Sequence, residues 1–333
     1  MTKLSNITEC ITNELNTFEE RLNKCLHAEK YLLKDMIDYC FAKKGKRIRP
    51  ILTFLVANMF GKPSESTFRA AMVLEFIHTA SLIHDDVLDE SGMRRGRQSI
   101  NNIWGNNNAI LFGDYLYGKC MEFIKTEKDF SLMPIYARIG VSLPKGELLQ
   151  KNLTEQGSTT EKNYFEVIYN KTASLLEAAC ETGFLTANEK DTDNNNLKNF
   201  DMLNQIKEMG KNLGLAFQIK DDMLDFYLEN ASEKSIGNDI REKKITLPMI
   251  YFLQNTNEQH KNDVLNFINS DEKRDEGILH LIKCVRESNS LKQSQRQVEF
   301  FSGKACDIIR RCPDNVYKDA LLSLAGFLIN RGI

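Results

Sequence analysis

The chain is poor in residues that break helices and in patterns that staple small folds. Its 333 residues include six prolines and one tryptophan. No proline falls between Pro144 and Pro248, so the strongest helix breaker is missing from that stretch. No apolar run approaches the roughly 18 residues that a membrane-crossing helix needs, which argues against stable membrane insertion. Charge of one sign is lacking too: 44 Lys plus Arg against 46 Asp plus Glu leave a net charge of -2. That balance offers no bulk positive field to nucleic acid or an anionic bilayer. The eight cysteines form no C-x-x-C pair and have no histidine at zinc-ligand spacing, so they read as reduced, mostly buried thiols. Met1 to Cys10 is polar and carries Glu9, the pattern of neither a secretory signal nor an Arg-rich transit peptide. A cytoplasmic protein is expected.

What the chain does contain is helical periodicity. Apolar residues recur at three- and four-residue spacing, as in Leu32, Met36, Tyr39 and Cys40, or Ala320, Leu324, Phe327 and Leu328. Alternating strands with hairpin turns are scarce. Polar, turn-rich stretches near 60–66, 90–108, 125–131, 152–163, 187–196, 229–243, 254–262 and 269–276 separate the helical runs. None is a Gly/Ser/Pro linker and none marks a composition shift. The pattern predicts an all-α chain forming one domain over 1–333.

One chemical pattern occurs twice. Asp85-Asp86-Val87-Leu88-Asp89 and Asp221-Asp222-Met223-Leu224-Asp225 are both D-D-x-x-D within apolar helical sequence. On a helix the first and last acids of such a cluster lie one turn apart, with the middle one about 100° round. Like charges at this spacing destabilise a helix and raise each other's pKa, so they call for cations. Hard oxygen ligands on rigid helices, few per ion, suit Mg²⁺ shared with phosphate oxygens. One such cluster is often a solvated helix face, but two copies inside apolar runs fit that poorly.

Basic residues bracket both clusters. Lys46 and Arg49 stand in Gly45-Lys46-Arg47-Ile48-Arg49-Pro50, and Arg94 and Arg95 follow the first cluster. Lys171-Thr172 lies mid-helix, and Lys234, Lys243 and Lys244 follow the second cluster. Guanidinium groups suit bidentate phosphate contacts. His78 lies two turns before Asp85 on the same helical face.

Taken together, these residues resemble the trans-prenyl diphosphate synthases, the class I isoprenoid chain elongases. The resemblance runs from about Lys43 to the C-terminus. It rests on G-K-R-x-R-P at 45–50, the run from Glu75 to Gly96, G-D-Y-L-Y at 113–117, K-T-A at 171–173, F-Q-x-x-D-D-x-L-D at 217–225 and G-N-D-x-x-E-x-K-x-T-L-P at 237–248. Glu147 and Gln150 after Gly146, and the run from Asn163 to Thr172, look most like the long-chain, octaprenyl-type members. Lys220, Glu233 and Lys243 depart from the common pattern.

The resemblance implies an isoprenoid synthase-type bundle of antiparallel helices around a deep central cavity, usually a homodimer. It implies that Asp85, Asp86, Asp89, Asp221, Asp222 and Asp225 hold up to three Mg²⁺ on the diphosphate of an allylic prenyl diphosphate. Arg94, Lys171, Lys234 and, more weakly, Lys244 would contact that diphosphate. Thr172 and Gln218 would lie beside the allylic carbon. Lys46, Arg49, His78 and Arg95 would hold isopentenyl diphosphate. The implied reaction ionises the allylic C–O bond, adds the double bond of isopentenyl diphosphate and eliminates a proton.

Competing readings fit less well. A class I terpene cyclase shares the fold, but its second metal motif differs and it lacks the Lys46/Arg49/His78 site. A non-catalytic partner subunit generally loses one acidic cluster, and this chain keeps both. A shorter-chain farnesyl or geranylgeranyl synthase is distinguished by product length alone. Ala80 and Ser81, about one turn before Asp85, are small where short-chain members carry aromatics; the next obstruction is expected on the helix starting near Asp114, where Gly118 is small but Met121 is not. A product near eight isoprene units, serving a respiratory quinone, is the expectation. Ser81→Phe should then shift the product to shorter chains, read by resolving elongation products by length; an unchanged distribution would sink the open-tunnel argument.

Overall fold

A computed structural model describes residues 4–26, 29–43, 45–94, 96–187, 196–227, 237–270 and 274–330. The all-α expectation holds: the described residues carry eighteen α-helices and one two-stranded hairpin. The chain divides into two compact units drawn from interleaved segments.

The first unit comprises 1–140, 175–207 and 311–323. Its N-terminal part contains α1 (Leu4–Ile7), α2 (Thr12–Leu26), α3 (Tyr31–Phe41), α4 (Ile48–Phe60) and α5 (Glu65–Leu88). After the hairpin β1 (Met93–Arg94) and β2 (Arg97–Gln98) come α6 (Ile100–Trp104), α7 (Asn106–Met121) and α8 (Glu127–Phe130). α5 begins on a reciprocal capping box: Thr67 N–H donates to Ser64 Oγ, and Ser64 N–H donates to Thr67 Oγ1. From Ala70 to Ile77 every residue of α5 is buried, because α4 and α7 pack along it. An all-round buried helix shows little amphipathic contrast, and α5 is the core of this unit. α2 covers α4 and α5 with Phe18, Leu22 and Leu26, which have 0%, 0% and 1% exposure. Phe18 meets Phe54 edge-on at 6.2 Å.

The second unit comprises 141–174, 208–310 and 324–333. It holds residues 141–156 of α9 (Met133–Gln156), α10 (Glu161–Ile168) and a π-helical turn at Tyr169–Ala173 that precedes α11 (Ser174–Thr186). It takes in residues 208–224 of α12 (Asn196–Leu224), and then α13 (Asn238–Arg241), α14 (Leu247–Gln254), α15 (Glu258–Asn269) and α16 (Asp275–Glu287). α17 (Ser290–Arg311) and the end of α18 (Val316–Ile329) complete it. One apolar cluster joins Phe226, Ile240, Met249, Ile268 and Ile282. A second joins Tyr164, Ile168, Ala173, Ile219, Met223 and Ile250. Gly214 lets α12 lie against the π-helical turn, since a Cβ there would come within 2.4 Å of Ala173 Cα.

The polar stretch expected as a turn region at 90–108 folds further than its composition suggests. Ser99 precedes α6, and Gly105, at φ 82°, ends it and starts α7. A glycine at that φ allows two helices to meet with no spacer, so an Asn-rich sequence still folds locally. Pro144, one bound of the proline-free stretch, lies inside α9.

Phe18→Ala should cost about 3–5 kcal/mol in denaturant unfolding, the usual range for emptying a buried phenylalanine site. A cost below about 1 kcal/mol would mean that α2 is not part of the core.

Candidate active site

Each acidic cluster closes a helix. Asp85 and Asp86 lie in the last turn of α5, and Asp89 is its C-cap, donating its N–H to the Asp85 carbonyl at 2.8 Å. Asp221 and Asp222 lie in the last turn of α12, and Asp225 follows its end. The helical geometry read from the spacing therefore holds for two acids of each cluster, while the third sits where the helix stops. A helix C-terminus already carries roughly half a negative charge. The carboxylates gather against that field and against one another.

In the first unit Asp86 is 3% exposed, and burial pushes its carboxyl above the usual carboxylate range. Arg94 opposes the shift, donating from Nε to Asp86 Oδ1 at 2.6 Å. The hairpin that carries Arg94 thus returns an expected diphosphate ligand to the cluster, and Asn101 ties down the Asp86 backbone carbonyl at 3.2 Å. Lys46 is exposed, Arg49 and His78 are half-buried, and Ala80 is buried. Ser81 is half-buried and donates to the His78 carbonyl at 2.9 Å. Met121 is 56% exposed, and a Cβ on Gly118 would meet nothing within 4 Å. Both positions are open to the surface of this unit. Arg95 and Lys234 lie outside the described residues.

The second unit joins three of its expected residues, Thr172, Gln218 and Asp222, by direct hydrogen bonds and sets Lys171 beside them. The π-helical turn Tyr169–Ala173 contains both Lys171 and Thr172. Such turns insert one extra residue per turn and recur at functional sites. Lys171 Nζ is held by Glu147 and Gln150 of α9. Gly146 makes room for it, since a Cβ there would come within 2.8 Å of Lys171 Cγ. Thr172 donates from Oγ1 to Gln218 Oε1 at 2.6 Å, and Gln218 Nε2 donates to Asp222 Oδ1 at 2.7 Å. Tyr164 donates its hydroxyl to the other carboxylate oxygen, Asp222 Oδ2, at 2.6 Å. Lys171, Thr172, Gln218, Asp222, Asp239 and Lys244 line a cavity of about 170 Å³.

Asp239 is a site residue that the spacing did not single out. It stands in the G-N-D segment at 237–239, and its backbone N–H donates to Asp225 Oδ2 at 3.1 Å. Asn238 N–H donates to Asp225 Oδ1 at 3.0 Å. Their neighbours Phe226 and Ile240 sink into the same apolar cluster, and that packing brings the two acidic positions together. The sequence signal was an apolar residue directly after an acid beyond a polar loop. Tyr164 gave no polar signal, because it reads as core aromatic.

Burial raises the carboxyls of Asp222, Asp225 and Asp239. Asp222 is pushed up to about 7 by burial, against the two hydrogen bonds it accepts and with Asp221 and Asp225 adding repulsion. The Asp239 carboxyl is driven well above its ordinary value by burial and by Asp222 and Asp225, and Lys244 only partly offsets this. Among the described residues, no three His, Cys, Asp or Glu are gathered so as to hold a metal ion on their own. Crowded oxygen donors with too little positive charge nevertheless fit a hard divalent cation that takes its remaining ligands from elsewhere.

Comparison with known proteins matches this construction. The polyprenyl synthetase family model matches residues 30–285. An octaprenyl diphosphate synthase of Haemophilus influenzae is 34% identical, over 92% of this chain and 90% of that one. The crystal structure of a decaprenyl diphosphate synthase from Rhodobacter capsulatus superposes with a TM-score of 0.89 at 27% identity, covering 99% of both chains. A polyprenyl synthase from Caulobacter crescentus, solved with calcium and isoprenyl diphosphate, superposes with a TM-score of 0.88 at 26% identity, over 99% of this chain and 98% of that one. The all-α isoprenoid synthase fold is thereby defined, and the chain is a prenyltransferase. It belongs to the polyprenyl synthetase family.

The raised Asp222 carboxyl has a signed consequence for the metal-free protein. Its folded pKa of about 7 exceeds the ordinary 3.8, so the folded state holds this proton more tightly than the unfolded one. The resulting stability is complete below the ordinary value and is lost as pH rises toward about 7. Asp222→Asn should flatten the fall in thermal midpoint between pH 5 and pH 8 in chelator; a slope equal to that of the parent protein would refute the assignment.

Proposed function

We propose that this prenyltransferase extends an allylic prenyl diphosphate such as farnesyl diphosphate, adding isopentenyl diphosphate units in the all-trans, head-to-tail sense. A final product near eight isoprene units, serving as the side chain of a respiratory quinone, is the reading we favour. The observation that carries it is the hydrogen-bonded chain Thr172–Gln218–Asp222, which lines one cavity of the second unit together with Lys171. The small Ala80 and Ser81 before the first acidic cluster support the long product. The octaprenyl and decaprenyl enzymes that the chain resembles differ in length, so the exact stop belongs to this proposal. Residues 1–333 are proposed as one domain, since neither unit is continuous in sequence. Ile110, Leu111 and Met121 leave apolar side chains exposed along α7, the surface we assign to a second copy in a homodimer. Among the described residues, no helix is long and apolar enough to cross a membrane.

Asp85, Asp86, Asp89, Asp221, Asp222 and Asp225, with Asp239 beside Asp225, are the donors proposed for up to three Mg²⁺. Bound there, Mg²⁺ supplies positive charge against the diphosphate as the allylic C–O bond breaks. Arg94 and Lys171 add fixed cations for the same leaving group. Lys171 is held by Glu147 and Gln150 until a stronger anion competes for it. Thr172 commits its proton to Gln218, so its remaining lone pairs can face a developing allylic cation. Gln218 is locked in that orientation because its amide N–H is committed to Asp222. Lys46, Arg49 and His78 hold isopentenyl diphosphate, whose double bond forms the new C–C bond. The proton lost from the adjacent carbon passes to the released diphosphate.

The direct test incubates the purified protein with farnesyl diphosphate, labelled isopentenyl diphosphate and Mg²⁺. A ladder of products ending near C40 is expected. Products that stop at C15 or C20 would overturn the chain-length assignment, and no incorporation would overturn catalysis by this chain alone.

A further inference from the structure

The cations proposed for isopentenyl diphosphate are anchored from a helix that lies outside the residues matched by the family model. α2 spans Thr12–Leu26, and the match begins at residue 30. From α2, Glu19 reaches Arg47, the residue between Lys46 and Arg49. Arg47 Nε donates to Glu19 Oε1 at 2.8 Å, and Nη1 donates to Glu75 Oε1 at 2.7 Å. The three side chains are 12%, 15% and 8% exposed, and the guanidinium lies 5.9 Å from the centre of the Phe18 ring.

Two features single this triad out. Arg47 adopts φ 52° and ψ 36°, the left-handed region that non-glycine residues enter at a cost and keep only when their surroundings hold them there. It does so as the N-cap of α4, without a side-chain cap bond of its own. The backbone turn that sends Arg47 inward to the glutamates leaves Lys46 exposed on one side and begins the helix bearing Arg49 on the other. Glu75 stands three residues before His78 on α5, so the same guanidinium ties the start of α4 to the helix that carries His78. From sequence, the diphosphate role in G-K-R-x-R-P falls to Lys46 and Arg49, and none falls to Arg47. The structure commits Arg47 to two carboxylates.

We propose that the Glu19–Arg47–Glu75 triad is a positioning device for the isopentenyl diphosphate site, through which α2 sets Lys46 and Arg49 relative to His78. Arg47 touches no substrate in this arrangement. It acts by holding a strained turn that the phosphate-binding residues flank. Neutralising Glu19 removes one of the two charge-assisted anchors, the turn relaxes and the cations lose their common aim. The inference rests on the proposed function, because it takes Lys46, Arg49 and His78 as the ligands of one diphosphate.

Glu19→Gln keeps the shape and an acceptor oxygen but removes the charge. The affinity for isopentenyl diphosphate should weaken and its KM rise about tenfold, a loss of about 1.4 kcal/mol of binding free energy. KM for farnesyl diphosphate should stay near the parent value while the thermal midpoint falls, since one partner of a buried ion pair is lost, and Glu19→Asp, which restores the charge, should recover part of both losses. Glu20→Gln, an exposed neighbour on α2, should change neither constant. Equal weakening for both substrates, a fall in kcat alone, or no change overturns the proposal. Should Glu19→Gln fail to fold, Glu19→Asp carries the same comparison through its shorter reach. Parent protein that binds isopentenyl diphosphate without elongating it would defeat the proposed function and leave the binding comparison decisive. Parent protein that binds none overturns both.

Discussion

Concentrated negative charge at two helix C-termini is the constraint around which the rest is arranged. Within each cluster, Asp85, Asp86 and Asp89 at the end of α5 or Asp221, Asp222 and Asp225 at the end of α12, the acids repel their own neighbours and oppose the dipole of their own helix. Folding alone does not recover that cost. The protein limits it with single, directed donors: Arg94 on Asp86, Tyr164 and Gln218 on Asp222, and two backbone N–H groups on Asp225. In the second unit the carboxyls of Asp222, Asp225 and Asp239 stay raised despite those donors, a condition that favours a divalent cation.

The second unit shows how such a surface becomes a site. A π-helical turn places Lys171 and Thr172, and glycines at 146 and 214 remove the Cβ atoms that would push neighbouring elements away. The hydrogen bonds run in one direction, from Thr172 to Gln218 to Asp222, so each group's orientation follows from the next. Apolar anchors finish the arrangement, because Phe226 and Ile240 pack into one cluster and set Asp239 beside Asp225. Site geometry here is a by-product of where hydrophobic residues are buried.

Lys220 shows the limits of that economy. It is 1% exposed, immediately before the second acidic cluster, and its ammonium makes no hydrogen bond to the described residues, with the Tyr227 ring 5.8 Å away. Burial lowers its pKa. The structure offers no physical account of why a lysine stands at this position.

How much was legible beforehand depended on whether the signal was local. Helical periodicity and scarce proline predicted the all-α class, because both act within one or two turns of chain. The D-D-x-x-D spacing and the motif-borne Lys171, Thr172 and Gln218 were equally local, and the structure joins the last two directly. By itself the sequence determined the class of fold and the chemistry of the clusters. Tertiary structure alone decided that Asp89 and Asp225 fall at helix ends, that Asp239 joins Asp225, that Arg47 turns inward to Glu19 and Glu75, and that Met121 is exposed. Each of those outcomes turns on packing between residues distant in the chain. Spacing along a sequence carries no record of which buried neighbours will hold a side chain in place.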